Sequence, residues 1–220
     1  MQPPSDSPKI KLANDLSIGY KEVLALPEEQ IELGNGTHYL LARNGRGKTT
    51  LLRTLAGVLK PLKGSFICEG RCQLISEDLA FDRELTSKVV LKSLLSKDAY
   101  QEAMELAEKL ELEVNKPYGK LSTGNKRKVA LLVAEFSVKE GRSDILFLDE
   151  PFTGLDAFAR EIFQDLWAQR DQGVLRLVSC HPDFDSMEMR SSVLISDGKI
   201  THLSSDETPK CWGDLKNQLN

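Results

Sequence analysis

The chain has 220 residues, 40% hydrophobic and 28% charged, which suits a single α/β domain with a full core. A formal net charge of −4 gives no argument for a nucleic-acid partner. The N-terminus, residues 1–8, has neither the basic nor the apolar region of a secretory signal. No apolar run has the length of a membrane span, and the longest, Val129–Phe136, carries Glu135.

In chain order, residues 1–9 read as a disordered lead-in. Leu16–Tyr20, Val23–Leu26, Gln30–Leu33 and Thr37–Leu41 read as strands, with a turn at Asn35-Gly36 between the last two. Residues 43–50 then run Arg43-Asn44-Gly45-Arg46-Gly47-Lys48-Thr49-Thr50 and open a helix predicted over Thr49–Leu59, which Gly57 and Pro61 close. A strand, a glycine turn ending in Gly-Lys-Thr and a helix form a recipe for holding a triphosphate. The loop N–H groups and the helix N-terminus make an anion nest, Lys48 can reach the β- and γ-phosphates, and the Thr49 hydroxyl can serve Mg²⁺. The first position of the usual pattern is Ala42 instead of glycine, and a plain strand-to-helix turn with an exposed lysine is the alternative.

Ser65–Cys68 and Arg71–Ser76 read as strands joined at Glu69-Gly70. The four cysteines, Cys68, Cys72, Cys180 and Cys211, fit no zinc spacing and read as reduced thiols of a cytosolic protein. From about 79 to 137 the pattern becomes helical: Ala99, Ala103, Leu106, Ala107 and Leu110 line one face, and Val129, Leu132, Val133 and Phe136 another. This stretch reads as a helical insert between α/β core segments at about 10–78 and 138–220.

The apolar run Ile145–Leu148 reads as a buried parallel strand ending in Asp149-Glu150. That pattern, the Walker B pattern, places Asp149 to hold Mg²⁺ through water and Glu150 to polarise an attacking water. A strand running into a helix N-cap is the alternative. A helix over Arg160–Gln169, strands at Val174–Ser179 and Val193–Ser196, and a hairpin at Asp197-Gly198 leading to Ile200 and His202 complete the pattern.

Leu121-Ser122-Thr123-Gly124-Asn125, ahead of a helix, resembles the LSGGQ signature of the ATP-binding-cassette (ABC) family. The family's other marks stand in family order, from about Ile10 to His202: phosphate loop, signature, Walker B, Gly154-Leu155-Asp156 as D-loop and His181 as switch histidine. Tyr20 lies where the family places an adenine-stacking aromatic.

The resemblance implies a P-loop NTPase with a RecA-like mixed sheet, an N-terminal antiparallel β region and a small helical subdomain bearing the signature. It implies ATP and Mg²⁺ as ligands. Arg43 to Thr50 would bind the nucleotide together with Tyr20, Ser122, Gly124 and Asp156. Lys48, Glu150 and His181 would be catalytic, and Thr49, Glu77 and Asp149 would serve the metal. It further implies a head-to-tail dimer closed over two ATP molecules, permease subunits as separate polypeptides, and a place at the inner face of the membrane. The groove near Glu77 would receive a coupling helix.

Lys126, Arg127 and Lys128 either oppose a nearby triphosphate or form a solvated face. Four positions depart from the family pattern: Ala42 and Thr123 replace glycines, Asn125 replaces the signature glutamine, and Glu77 stands at the Q-loop glutamine. With Lys48, Thr49, Asp149, Glu150 and His181 intact, an active ATPase of low basal turnover is expected. Leu121 follows Thr86 by only 35 positions, and this short insert resembles bacterial exporter subunits. A soluble ABC ATPase of a cytosolic machine and a nucleotide-sensing module with weak hydrolysis are the alternatives.

Overall fold

The structure, a computed structural model, describes residues 7–139, 141–180, 188–204, 209–215 and 219. The strands are β1 (Lys9–Leu12), β2 (Ile18–Gly19), β3 (Val23–Pro27), β4 (Ile31–Leu33), β5 (Gly36–Ala42), β6 (Phe66–Glu69), β7 (Arg71–Ile75), β8 (Asp144–Leu148), β9 (Val174–Cys180), β10 (Glu188–Met189), β11 (Ser191–Ser196), β12 (Lys199–Ser204) and β13 (Lys210–Cys211). The helices are α1 (Lys48–Leu55), α2 (Ser87–Leu94), α3 (Lys97–Lys109), α4 (Thr123–Phe136), α5 (Ala157–Gln169) and α6 (Trp212–Leu215). Among the described residues, no helix is long and apolar enough to cross a membrane.

The main sheet runs β2-β3-β12-β11-β5-β9-β8-β7, and its strands from β11 to β7 are parallel. Side-chain alternation along these strands feeds two cores. Tyr39, Leu41, Leu146, Leu148 and Val178 face α4, α5 and the helical stretch, whereas Leu40, Ala42, Ile145, Phe147 and Leu177 face α1 and a three-stranded antiparallel sheet, β4-β1-β6. Burial on both faces explains why β8 and β9 read as continuous apolar runs. Helices α2, α3 and α4 pack on one another, and α4 also meets β7.

Several local expectations need correction. The lead-in, expected to reach residue 9, lies outside the described residues at 1–6 and overlaps β1 at its end; β1 begins at Lys9, where Lys9 and Lys11 alternate with its two buried positions, Ile10 and Leu12. The chain bends at Asn35 and at Gly70, within the turns expected there, but the flanking strands do not pair with each other. β4 pairs with β1 while β5 pairs with β9 and β11, and β6 pairs with β1 while β7 pairs with β8. Local turn chemistry marks a break between strands but not the sheet each arm enters. Helix α1 ends at Leu55, short of the expected Leu59, because Gly57 sits at φ +74 and turns the chain.

A polar chain crosses one end of the sheet. His38 Nε2 donates to the Gly34 carbonyl at 2.9 Å, so Nδ1 accepts from the Ser191 hydroxyl at 2.6 Å, and Ser191 accepts from His202 Nε2 at 2.8 Å. Burial, with His202 nearby, lowers the pKa of His38 from 6.5 to about 4. Between those values the unfolded chain binds the proton and the native one does not. The stability contribution is therefore complete above pH 6.5 and is lost as the pH falls toward 4. Relative to His38→Gln, the wild type is expected to lose about 2–3 kcal/mol more between pH 7.5 and 4.5; urea titrations at the two pH values check this.

Candidate nucleotide site

Side chains cap four of the helices. Thr86 accepts from Val89 N–H ahead of α2, Ser96 from Ala99 ahead of α3, Ser122 from Asn125 ahead of α4 and Asp156 from Ala159 ahead of α5. Helix α1 differs. Its N-cap is Gly47, which makes no side-chain cap bond, and its first turn carries no acid. The cap position of α1 thus offers its leading N–H groups no side-chain acceptor, at the end where the helix dipole favours an anion. Gly45 at φ +74 and Gly47 at φ +111 allow the backbone of this loop to wrap, and Arg46 N–H bonds the Arg43 carbonyl at 3.2 Å. Arg43, Asn44, Gly45 and Arg46 are exposed, Thr49 is half-buried and Thr50 is buried. Ala42 needs no glycine freedom, since it is the last residue of β5 and lies in the sheet with Ile195 beside it.

Beneath the loop, Lys48 is 7% exposed, with Nζ 3.2 Å from the Ala42 carbonyl and 3.2 Å from Glu150 Oε1. Glu150 follows β8 at φ +48, a left-handed conformation that costs a non-glycine residue about 1–3 kcal/mol. Its N–H donates to Ser179 Oγ at 2.7 Å, and the same hydroxyl donates to Asp149 Oδ1 at 2.8 Å. Asp149 N–H bonds the Ile75 carbonyl at 2.9 Å, which brings the end of β7 alongside; Glu77, two residues further, is exposed. Cys180 is buried here, and burial next to the Glu150 charge pushes its thiol well above the usual range, which keeps it protonated.

The donors suit Mg²⁺. Asp149 offers a carboxylate oxygen and Thr49 a hydroxyl, both hard ligands, and the described residues contain no cluster of three or more His, Cys, Asp or Glu that could cage a metal. Mg²⁺ is usually held this way, by one or two protein oxygens together with substrate phosphates and water.

A second group forms around the N-terminus of α4. Ser122 and Thr123 are exposed, with Asn125 N–H 3.2 Å from Ser122 Oγ. A Cβ on Gly124 would press into the Gly154 carbonyl oxygen, so glycine is required by the close approach of the two loops. Gly124→Ala is expected to lower stability by about 1–3 kcal/mol, read as a lower midpoint in chemical denaturation. Asp156 caps α5, yet its side chain is 64% exposed, and Lys128 Nζ is 3.9 Å away. The Asn125 amide donates to Glu113 at 3.2 Å.

Arg127 and Lys128 form neither a phosphate-facing pair nor a solvated face. Arg127 is 6% exposed and bonds the carbonyls of Ser76 and Glu77, while Lys128 is 8% exposed and bonds the Leu110 carbonyl at 2.7 Å. They tie α4 to the end of β7 and to the end of α3. Lys126 stacks over Tyr118, 5.7 Å from the ring centre. Tyr20, just past β2, is 59% exposed; β2 and β3 adjoin the phosphate loop, since Ile18 and Leu24 come closest to Gly47. His181 lies outside the described residues. Ser179 was missed because nothing in an apolar strand pattern sets one serine apart.

Fold and site together define an α/β P-loop nucleotide-binding protein. The sequence profile of the ABC transporter family matches residues 30–153. An uncharacterized ABC transporter ATP-binding protein of Methanocaldococcus jannaschii is 31% identical over 91% of this chain and 79% of its own length. The aliphatic sulfonates import ATP-binding protein SsuB of Corynebacterium glutamicum is 34% identical over 88% of this chain and 82% of its own. The cytochrome c biogenesis ATP-binding export protein CcmA of Zymomonas mobilis is 33% identical over 67% of each. Among solved structures, an ABC transporter ATP-binding protein from Pyrococcus furiosus superposes with a TM-score of 0.67 at 24% identity, over 85% of this chain and 97% of that one.

The chain belongs to the ABC transporter family, as an ATP-binding subunit. It is an ATPase that binds ATP with Mg²⁺. ATP-binding proteins of this family dimerise and work with membrane permease subunits.

Proposed function

We propose that this chain powers export through separate permease subunits at the inner face of the membrane, by hydrolysing ATP within a head-to-tail dimer of two copies. The observation that carries the ATPase reading is the meeting of Lys48, Glu150, Asp149 and Ser179 beneath the N-terminus of α1, whose cap residue Gly47 makes no side-chain bond.

In this reading the N–H groups of residues 43–50 cradle the phosphates, and Lys48 leaves Glu150 to meet the γ-phosphate. Thr49 and Asp149 hold Mg²⁺, with Glu77 bordering that site. The metal supplies charge neutralisation on the phosphate oxygens. Glu150, released from Lys48, accepts a proton from the attacking water. The water oxygen bonds to the γ-phosphorus while the bond to the bridging oxygen of ADP breaks. Tyr20 stacks on the adenine, and His181 contacts the γ-phosphate.

The exposed Ser122 and Thr123, the cap and the first residue of α4, suit completion of a partner's nucleotide site together with Gly124 and Asp156. The groove between Glu77, Phe81, Tyr118 and Arg127, about 250 Å³, would accept the permease's coupling helix. The short insert from Thr86 to Leu121 favours export, as does the likeness to CcmA, while the likeness to SsuB keeps import as the second reading.

The test is purification of the tagged chain from its native cells in mild detergent. A stoichiometric multi-span membrane protein is expected; a soluble partner with no membrane protein would move the reading to a cytosolic machine. ATP-dependent substrate uptake into inside-out vesicles would mark export, and its absence there with uptake in right-side-out vesicles would mark import.

A further inference from the structure

We infer that Ser179 is a positioning residue of the ATPase centre, whose single hydroxyl fixes the metal-binding carboxylate and the base-bearing main chain relative to each other. The inference rests on the reading of Asp149 and Glu150 given above. Ser179 is 0% exposed and lies on β9, between the strand that leads into the phosphate loop and the strand that leads into the two acids: it pairs with Leu40 of β5, and Val178 before it pairs with Leu148 of β8. A serine there costs burial of a hydroxyl among Leu175, Leu177 and Val178 unless the hydroxyl is bonded.

Its bonds admit one orientation. The Glu150 N–H can only donate and the Asp149 carboxylate can only accept, so the proton of Ser179 points to Asp149 Oδ1, at 2.8 Å, and its lone pair to Glu150 N, at 2.7 Å. The first bond leaves the other oxygen of Asp149 for Mg²⁺ and selects one carboxylate rotamer. The second holds Glu150 at φ +48, the conformation in which its side chain meets Lys48. One hydroxyl thus bonds both the metal-ligand side chain and the main chain of the base, and so helps set the relation between the two.

The experiment uses the full chain and compares wild type, Ser179→Ala, Ser179→Thr and Glu150→Gln. It reads steady-state turnover, thermal midpoint, and ATP binding with Mg²⁺ and with EDTA. Ser179→Ala is expected to lower kcat and to weaken Mg²⁺-dependent ATP binding, each about 10–100-fold. ATP binding in EDTA should stay at the wild-type value, and Ser179→Thr should recover both losses.

Wild-type kcat and wild-type Mg²⁺ dependence in Ser179→Ala would overturn the inference. So would equal losses with and without Mg²⁺, which mark a packing defect. If Ser179→Ala does not fold at the assay temperature, Ser179→Cys, of similar size and weak hydrogen-bonding power, replaces it with the same expected direction. Retained turnover in Glu150→Gln would overturn the assignment of the base itself. An inactive Glu150→Gln beside an unaffected Ser179→Ala would overturn only the role of Ser179.

Discussion

Glu150→Gln is expected to reduce ATP turnover by a factor of about 10²–10⁴ while leaving ATP binding intact or tighter. The amide has the shape of the carboxylate but cannot take the proton of the attacking water. It imposes no new backbone demand, since Gln meets the same left-handed conformation at φ +48 as Glu does. It also removes the negative partner 3.2 Å from Lys48 Nζ. In the free protein that pair competes with the γ-phosphate for the ammonium, so its loss favours nucleotide. Phosphate release in the steady state and calorimetric ATP binding check the two halves. Turnover equal to wild type would sink the enzyme mechanism, and equally slow turnover in both proteins would support the nucleotide-sensing alternative.

The second large effect lies in the core. Arg176, on β9, and Glu135, near the end of α4, are each 1% exposed. They form a forked pair, Nε to Oε1 at 3.0 Å and Nη2 to Oε2 at 2.8 Å. Nη1 adds a bond to the Arg170 carbonyl at 3.0 Å, and the guanidinium lies 6.0 Å from the Trp167 ring centre. Glu135→Ala removes the forked partner of a buried guanidinium, leaving only the more distant Asp171 carboxylate at 3.9 Å, and is expected to cost about 3–5 kcal/mol. For a chain of this size that is a fall in Tm of roughly 6–20 °C. An apolar pair of similar volume, Glu135→Leu with Arg176→Met, is expected to recover most of the loss, since it removes both desolvated charges at once. Differential scanning calorimetry of the three proteins decides, and a single variant melting with the wild type would show that the pair contributes nothing net. Because α4 carries Ser122 at its other end, this pair also anchors the signature helix to the strand that holds Ser179.

Much of the local structure was legible in the residue pattern. The strand, loop and helix from Gly36 to Leu55 are set by an apolar run, two glycines that permit positive φ, and the periodic leucines of α1. The caps at Thr86, Ser96, Ser122 and Asp156 act within three residues, so short-range chemistry decides them. Sheet membership was not legible. β4 and β5 are separated by two residues yet enter different sheets, and so are β6 and β7, separated by one, because partner choice depends on distant strands. Charge was misleading in the same way. Arg127 and Lys128 read as phosphate-facing or solvated cations but are buried, because the carbonyls of Ser76, Glu77 and Leu110 that accept from them are near α4 only once the chain has folded. Arg176 and Glu135, 41 residues apart, carry no pattern that announces a pair.

By itself, the sequence determined the class of the protein. Glycines at forced backbone positions, a lysine and threonine opening a helix, and two acids ending an apolar strand are local requirements of phosphate chemistry. They persist in the residue order whatever surrounds them. Only the tertiary structure decided which of these groups touch. The parallel register of β5, β9 and β8 brings Lys48 to Glu150 and sets Ser179 under both acids, and the approach of two loops makes Gly124 obligatory. Such contacts join segments roughly 30 to 100 residues apart, and they depend on sheet order and close packing, which no short window of sequence encodes.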